Sequence, residues 1–552
     1  MSEHRRRDLL RATAIAAVAT GVAARQVHRP APAVAAPADG CPPPLGPVAV
    51  GPDDPRYADL VRRGNRRFVG TPDQVRVVGS TEQVRAAVQA GVRAGQRIAV
   101  RSGGHCFEDF VDNPQVRMVI DLSGMTGVYY DPLRFAFAVE AGASLGEVYR
   151  RLYLGWGVTL PGGSCPGVGA GGHVAGGGYG PLSRLHGLVV DHLYAVEVVT
   201  VDQSGTARTV VATRDQDDPN RELWWAHTGG GGGNFGVVTR YWFRSPGATG
   251  DDPSRLLPRP PASVLTFTVQ WPWQGMDERG FARLARNFGD WCTRHRAPGT
   301  PQARLYGELL LSRRPAGNHT LIGQVADGAD ATRLLDEHVA VLNAGVGVAP
   351  VRSQEVLPWL TSALRGNGDD GKQWRLKTKA GYLRRGLTDR QIAAAYHHLT
   401  RSDYDNPAGS LSLNTYGGQI NTVPSAATAT AQRDSVIKLF YLAGWADPAE
   451  DARHLAWIRE FYRDVYADTG GVPVPGDVND GSYINYPDVD LADPAWNTSG
   501  VPWHSLYYGA NYPRLQRAKA RWDPRDVFRH SLSVKQADPG QPRRHAGTVQ
   551  AG

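Results

Sequence analysis

Two glycine-dense loops constrain this chain more than any other feature, because each carries a side chain able to form a covalent bond. R-S-G-G-H-C runs from Arg101 to Cys106 and P-G-G-S-C-P-G-V-G-A-G-G-H from Pro161 to His173, which sets His105 and Cys165 sixty positions apart. Imidazole and thiolate both bond to electrophilic ring carbons. The flanking glycines let backbone N–H groups close around a bulky anionic cofactor. Together they suit a flavin tethered at two points. Cys106, beside His105, reads as a packing residue.

Both loops, at this spacing, resemble those of the berberine-bridge-enzyme-like family of FAD-linked oxidases, within the vanillyl-alcohol-oxidase superfold. The resemblance runs from about Pro55 to Val534. It implies that His105 bonds the methyl carbon of the isoalloxazine and that Cys165 bonds a neighbouring ring carbon. It also implies a cradle of Arg101, Ser102, Gly103, Gly104, Cys106, Gly163, Ser164, Val168, Gly169, Gly172, His173, Gly176, Gly177, Gly236 and Val237. Asn485 and Asn511 are expected as flavin or backbone ligands. The implied fold is α+β: a two-part FAD-binding domain interrupted by a substrate domain built on an antiparallel sheet covered by helices.

At 552 residues the chain exceeds what one core can hold. Charged residues make up 21% and hydrophobic ones 41%, a soluble balance, and no run of eighteen apolar residues could span a bilayer. The net charge of +8 comes from dispersed arginines, with no nucleic-acid-binding motif, so it suits the cofactor pyrophosphate or an acidic substrate better than a nucleic acid. Four cysteines are too few for a disulfide scaffold, and with no C-x-x-C or H-E-x-x-H no metal site is expected.

The amino terminus reads separately. Arg6-Arg7 precedes an apolar stretch from Ala12 to Ala24, and Ala33-Val34-Ala35 offers a cleavage site, the pattern of a twin-arginine export signal over residues 1–36. Secretion is the expected destination, with the cytoplasm as the alternative.

Strand and helix patterns alternate over 37–250, the main part of the expected FAD domain. Val75–Val78, Ile98–Val100, Met118–Leu122 and Leu193–Val201 read as strands, and Phe135, Phe137 and Val139 as alternating positions of a half-buried one. Ser80 with Gln83, and Ser144 with Glu147, predict helix starts. Gly167–Gly172 spells G-x-G-x-x-G, but a proline-rich loop precedes it where a dinucleotide fold needs a strand. Gly229–Gly233 is too glycine-dense for a helix and suits the FAD phosphates or ribityl chain. Residues 251–465, after a proline-rich linker, are expected to form the substrate domain. Its strands are predicted over Val264–Val269, Ala303–Leu311 and Thr320–Val325, and its helices over Met276–Cys292, Asp330–Leu342 and Asp389–Leu399. Residues 466–536 return to complete the FAD domain, and 537–552 form a tail.

The return segment carries Tyr483-Ile484-Asn485-Tyr486-Pro487-Asp488, which resembles the family's carboxy-terminal signature. In relatives that oxidise alcohols, a tyrosine of this motif is the implied base. A phenol with the ordinary pKa near 10 is a poor base at neutral pH, so neighbours must adjust it. Tyr483 is the first candidate and Tyr486 the second, because a strand would aim only one at the ring. Tyr179 and Tyr416 match further active-site tyrosines. Oxidases of the family this chain resembles tend to carry a small residue three positions after the anchoring cysteine, where Val168 stands, so the resemblance implies access for dioxygen. The expected reaction is oxidation of a secondary alcohol on a sugar or polyketide-type natural product to a ketone or lactone, with hydrogen peroxide as co-product. The alternatives are a secreted oligosaccharide oxidase, a dehydrogenase with another electron acceptor, and a non-catalytic flavin carrier.

Overall fold

The structure is a computed structural model describing residues 45–365 and 374–537. The export signal over 1–36 and all but the first residue of the tail over 537–552 lie outside the described residues.

Helix starts follow the side-chain chemistry. Ser80 caps Thr81–Arg93 by accepting from the Gln83 N–H, while Gln83 Oε1 accepts from the Gly79 N–H, a capping box with its return bond moved back one residue. Ser144 likewise caps Leu145–Trp156 by accepting from the Glu147 N–H, and the helix runs a turn beyond Leu152 to end at left-handed Gly157.

Three sheets carry the fold. β1 (Val48–Val50), β2 (Gln74–Val77), β3 (Ile98–Arg101) and β4 (Met118–Asp121) pair in the order β1-β2-β4-β3, parallel except for β1. β5 (Val128–Asp131), β6 (Ala136–Glu140), β7 (Leu193–Val201), β8 (Ala207–Thr213) and β9 (Val237–Phe243) form an antiparallel sheet ordered β5-β6-β9-β7-β8. The alternation at Phe135, Phe137 and Val139 predicts a half-buried strand, but β6 is buried on both faces. Phe137 and Val139 join the main core while Ala136 and Ala138 pack with Ala195 and Trp242, and Phe135 falls outside the strand at φ +46°.

The third sheet is antiparallel throughout. It contains β10 (Ser263–Pro272), β11 (Leu305–Ser312), β12 (Asn318–Ala326), β13 (Val351–Pro358), β14 (Arg375–Leu383), β15 (Gly409–Thr415) and β16 (Ile437–Trp445) in the order β13-β10-β12-β11-β15-β16-β14. Sequence alternation sets its two faces. In β10, Leu265, Phe267, Val269 and Trp271 are buried while Thr266, Thr268 and Gln270 stay half-exposed. The apolar face is covered by Glu278–Arg294, Ala331–Asn343, Asp389–Thr400 and Asp451–Val465, so this is the expected antiparallel sheet under helices.

After residue 466 the chain folds back onto the glycine run at 229–236. Tyr508 donates its hydroxyl to the Gly230 carbonyl at 2.9 Å, and His530 Nε2 lies 3.1 Å from the Gly232 carbonyl. Buried Lys519 Nζ donates to the carbonyls of Asn234 at 2.9 Å and Phe528 at 2.6 Å and to Asp523 at 2.6 Å. Among the described residues no helix is long and apolar enough to cross a membrane.

Candidate active site

The His105 loop leaves the end of β3, and the Cys165 loop links Leu145–Trp156 to a short helix, Ala170–Ala175, capped by Gly169. The loops touch through their glycines. A Cβ on Gly103 would lie 2.3 Å from Gly169 N, and one on Gly169 would lie 2.1 Å from Ser102 Oγ, so neither position admits a side chain. Ser102 donates to the Ala141 carbonyl at 2.6 Å, and Arg101 donates to Asp121 of β4 at 2.7 Å. Tyr149 donates to the Gly163 carbonyl at 2.6 Å, while the Gly163 N–H donates to His173 Nε2 at 3.2 Å. Burial, reinforced by the Lys438 charge, pushes His173 down to about 4, leaving a neutral imidazole able to accept that bond.

His105 is exposed and Cys165 half-exposed, and Gly103, Gly167 and Gly172 open their backbones beside them. A Cβ on Gly172 or Gly232 would meet no heavy atom within 4 Å. Glycines that leave room beside the backbone, together with an accessible imidazole and thiol, are the residue chemistry that a planar ring with a pyrophosphate tail requires. Other expected cradle residues have local duties. The Cys106 carbonyl accepts from Arg63, and Val168 packs beside Leu145, Tyr149 and Trp359. Gly176 lies beneath the Asn485 amide, and Gly236 and buried Val237 pack into the five-stranded sheet. Gly104 and Gly177 adopt positive φ, and Ser164 adjoins Cys165 in the same half-exposed loop. Asn511 donates to the Ser425 and Thr428 carbonyls at 2.8 and 3.1 Å, a backbone ligand of that loop.

The Tyr483–Tyr486 motif departs from expectation. It is a turn closed by the Tyr486 N–H donating to the Tyr483 carbonyl at 2.9 Å, not a strand, so the two tyrosines share one side with ring centroids 5.1 Å apart. Asn485, between them, donates to the His173 carbonyl at 2.9 Å and to the Tyr483 hydroxyl at 3.0 Å, fastening the turn to the Cys165 loop. Tyr179 donates to the Thr415 carbonyl at 2.5 Å and Tyr416 to the Gln432 carbonyl at 3.2 Å. Their rings lie 5.3 Å apart, and Tyr382 joins Tyr416 to Tyr483 at 5.2 and 6.0 Å. The four expected tyrosines thus form one cluster, with Phe107 of the His105 loop 5.6 Å from the Tyr486 ring.

Sequence reading missed Lys438 and Glu308. Lys438 on β16 is 2% exposed, donates to the Tyr486 hydroxyl at 3.1 Å, and places its Nζ 4.3 Å from the Tyr486 ring centroid and 4.8 Å from that of Tyr179. Desolvation pushes its ammonium down to about 7, against the attraction of Glu308. Burial pushes the Tyr483 and Tyr486 phenols up. The group poised to take a proton at neutral pH is therefore the amine. A single charge inside apolar I-K-L-F-Y-L and another inside L-Y-G-E-L-L-L were the available signals.

A buried charge cluster joins these parts. Lys377 and Lys379 of β14 reach Asp488 at 2.7 Å each, Lys379 reaches Asp490 at 2.8 Å, and Lys377 also pairs with Glu108. Glu108 stands three residues past His105 and Asp488 two past Tyr486, so one ionic knot holds the histidine loop, the tyrosine turn and the third sheet together.

Glycine-rich loops carrying an accessible histidine and cysteine, fastened through Asn485 to a cluster of tyrosines, fit a flavin-linked oxidoreductase. Residues 72–210 match an FAD binding domain and residues 482–535 the domain described as berberine and berberine like. The chain is 59% identical over 484 residues to the aclacinomycin-N/aclacinomycin-A oxidase of Streptomyces galilaeus, covering 87% of this chain and 88% of that protein. It is 33% identical over 533 residues to the hexose oxidase of Chondrus crispus, covering 87% and 93%. Among solved structures, a glycopeptide hexose oxidase complexed with teicoplanin matches with a TM-score of 0.86 at 54% identity, over 90% of this chain and all of that one. This chain belongs to the berberine-bridge-enzyme-like family of FAD-linked oxidases.

Proposed function

We propose that the protein oxidises a secondary alcohol of a sugar or polyketide-type natural product to a ketone or lactone, with FAD bonded to His105 and Cys165 and dioxygen reduced to hydrogen peroxide. The bound FAD supplies the hydride acceptor. The observation that carries the reading is the Lys438–Tyr486 pair, set among the tyrosines beside the Cys165 loop.

Loss of hydride from an alcohol carbon leaves a protonated carbonyl unless the hydroxyl proton is accepted. Tyr486 takes that proton on its oxygen as its own passes along the 3.1 Å contact to the neutral Lys438 amine. This reverses the order expected from sequence, in which Tyr483 came first. The Tyr483 hydroxyl is instead occupied by the Asn485 amide and only 5% of the residue is exposed, whereas Tyr486 is half-exposed. Tyr179 and Tyr416 wall the site and exclude water. Small Val168 supports dioxygen as acceptor. The relatives named above, an aclacinomycin oxidase and two hexose oxidases, support a sugar or natural-product alcohol.

A peroxide-coupled screen of sugars and hydroxylated polyketides tests this. Flavin bleaching under anaerobic conditions by at least one secondary alcohol, with peroxide on readmission of air, is expected. Bleaching without peroxide would make the protein a dehydrogenase, and no bleaching by any alcohol would overturn the reading.

A further inference from the structure

Strand register places a carboxylate, an amide and an ammonium in one row. Glu308 of β11 pairs with Asn414 of β15, and Asn414 with Lys438 of β16. Directly paired residues share a sheet face, so all three look away from the covering helices. The row continues outwards through Ile322 and Thr268, with Gln324 and Thr266 alongside, all half-exposed.

Hydrogen bonding in this row is incomplete. Asn414 is 3% exposed, and its Nδ2 donates to nothing. Its Oδ1 is 3.2 Å from the Tyr306 hydroxyl, which lies 3.4 Å from Glu308 Oε2 and has only one proton for the two acceptors. Glu308 is half-exposed, takes a further bond from Ser412, and acts electrostatically on Tyr179, Tyr306 and Tyr486. Burial pushes the Glu308 carboxyl up, against the attraction of Lys438 and its hydrogen bonds; in its ionised form it accepts up to about four hydrogen bonds, so capacity is left over. A spare amide donor next to a spare carboxylate acceptor is what one hydroxyl needs, since it donates and accepts at once.

We propose that Glu308 and Asn414 form a subsite for a second substrate hydroxyl, distinct from the one oxidised beside Tyr486, and that this subsite makes the enzyme selective for polyhydroxylated sugar rings. The inference rests on the alcohol-oxidation reading above. A substrate hydroxyl donates to the Glu308 carboxylate and accepts from Asn414 Nδ2. An analogue lacking it leaves the buried Asn414 Nδ2 without an acceptor and the Glu308 carboxylate short of one donor, a loss that favours the hydroxylated substrate.

The test compares wild-type holoenzyme with isosteric Glu308→Gln in anaerobic flavin reduction by D-glucose and its monodeoxy analogues, at a pH where Lys438 is neutral in both. One deoxygenation away from the reacting carbon should cost wild type about 10- to 100-fold in kcat/KM, mostly through KM, as expected for a bond to a charged group. Glu308→Gln should cost a similar factor on glucose, and the two losses should not multiply when combined. Asn414→Ala should couple to the same hydroxyl. Losses that multiply for every analogue, or no loss in either variant, would overturn the subsite. If a monohydroxylated polycyclic alcohol reduces the flavin and no sugar does, the subsite falls while alcohol oxidation stands. If neither does, alcohol oxidation itself falls.

Discussion

Lys438 Nζ and the Tyr486 hydroxyl oxygen are 3.1 Å apart in a buried site where desolvation drives the amine down and the phenol up. Each shift alone would disable its group as a base or as a cation. Side by side they leave an amine that loses its proton near pH 7 and can then receive another through the phenol. The rate of flavin reduction should therefore rise with pH through an apparent pKa near 7, as Lys438 loses its proton. Stopped-flow reduction across pH 5–9 measures it, and Lys438→Met should flatten the profile.

Tyr486→Phe keeps the ring and removes the oxygen that meets Lys438. Flavin reduction should slow by about 10²- to 10⁴-fold, the usual range for general acid–base catalysis, with the bound-flavin spectrum nearly unchanged. Tyr483→Phe should slow it less. If Tyr483→Phe is the slower variant, the two tyrosines exchange roles; normal reduction in both removes the tyrosine mechanism.

Lys438 also has a stability signature. A folded-state value near 7 in place of 10.5 means the unfolded chain binds more protons between those values, so the lysine's contribution is fully favourable above 10.5 and is lost as pH falls to 7. Below 7 the buried charge costs on the order of 5 kcal/mol. Lys438→Met should accordingly raise Tm at pH 6 and raise it much less at pH 9, while abolishing the pH-dependent rate.

The ionic knot makes the opposite prediction. Asp488 is fully buried against Lys377 and Lys379, so Asp488→Asn leaves buried positive charge uncompensated. Denaturant unfolding should show a loss of about 3–5 kcal/mol. Because Glu108 and Asp488 hold the His105 loop and the tyrosine turn to one strand, flavin incorporation should fall as well.

If FAD is bonded to both His105 and Cys165 as proposed, acid-denatured protein should stay yellow and gain the mass of about one FAD. His105→Ala and Cys165→Ala should each retain flavin through the remaining bond, and the double variant should release it. Full release from either single variant would eliminate the double tether.

Replacing Arg6 and Arg7 with lysines keeps the charge and removes the guanidinium pair that a twin-arginine translocase reads. Culture-medium and cytoplasmic activity should then exchange; equal extracellular yield would assign export to another route.

Residue identity alone set the close approach of the two glycine loops. His105 and Cys165 lie in glycine loops because backbone must approach backbone there, at Gly103 and Gly169, and that requirement is written locally in residue identity. The helix starts at Ser80 and Ser144 and the valine-rich strand over Leu193–Val201 were legible because capping and strand preference act over a few residues, whereas the antiparallel sheet under helices was implied by the family resemblance. Tertiary structure decided which groups meet. Glu308, Asn414 and Lys438 come from three strands whose neighbourhood depends on register. Tyr483 and Tyr486 come together in a turn whose next residues, led by Asp488, dock on Lys377 and Lys379 of a distant strand. The shifts of Lys438 and Tyr486 are properties of that burial, since desolvation depends on everything packed around a charge and on nothing adjacent to it in the chain.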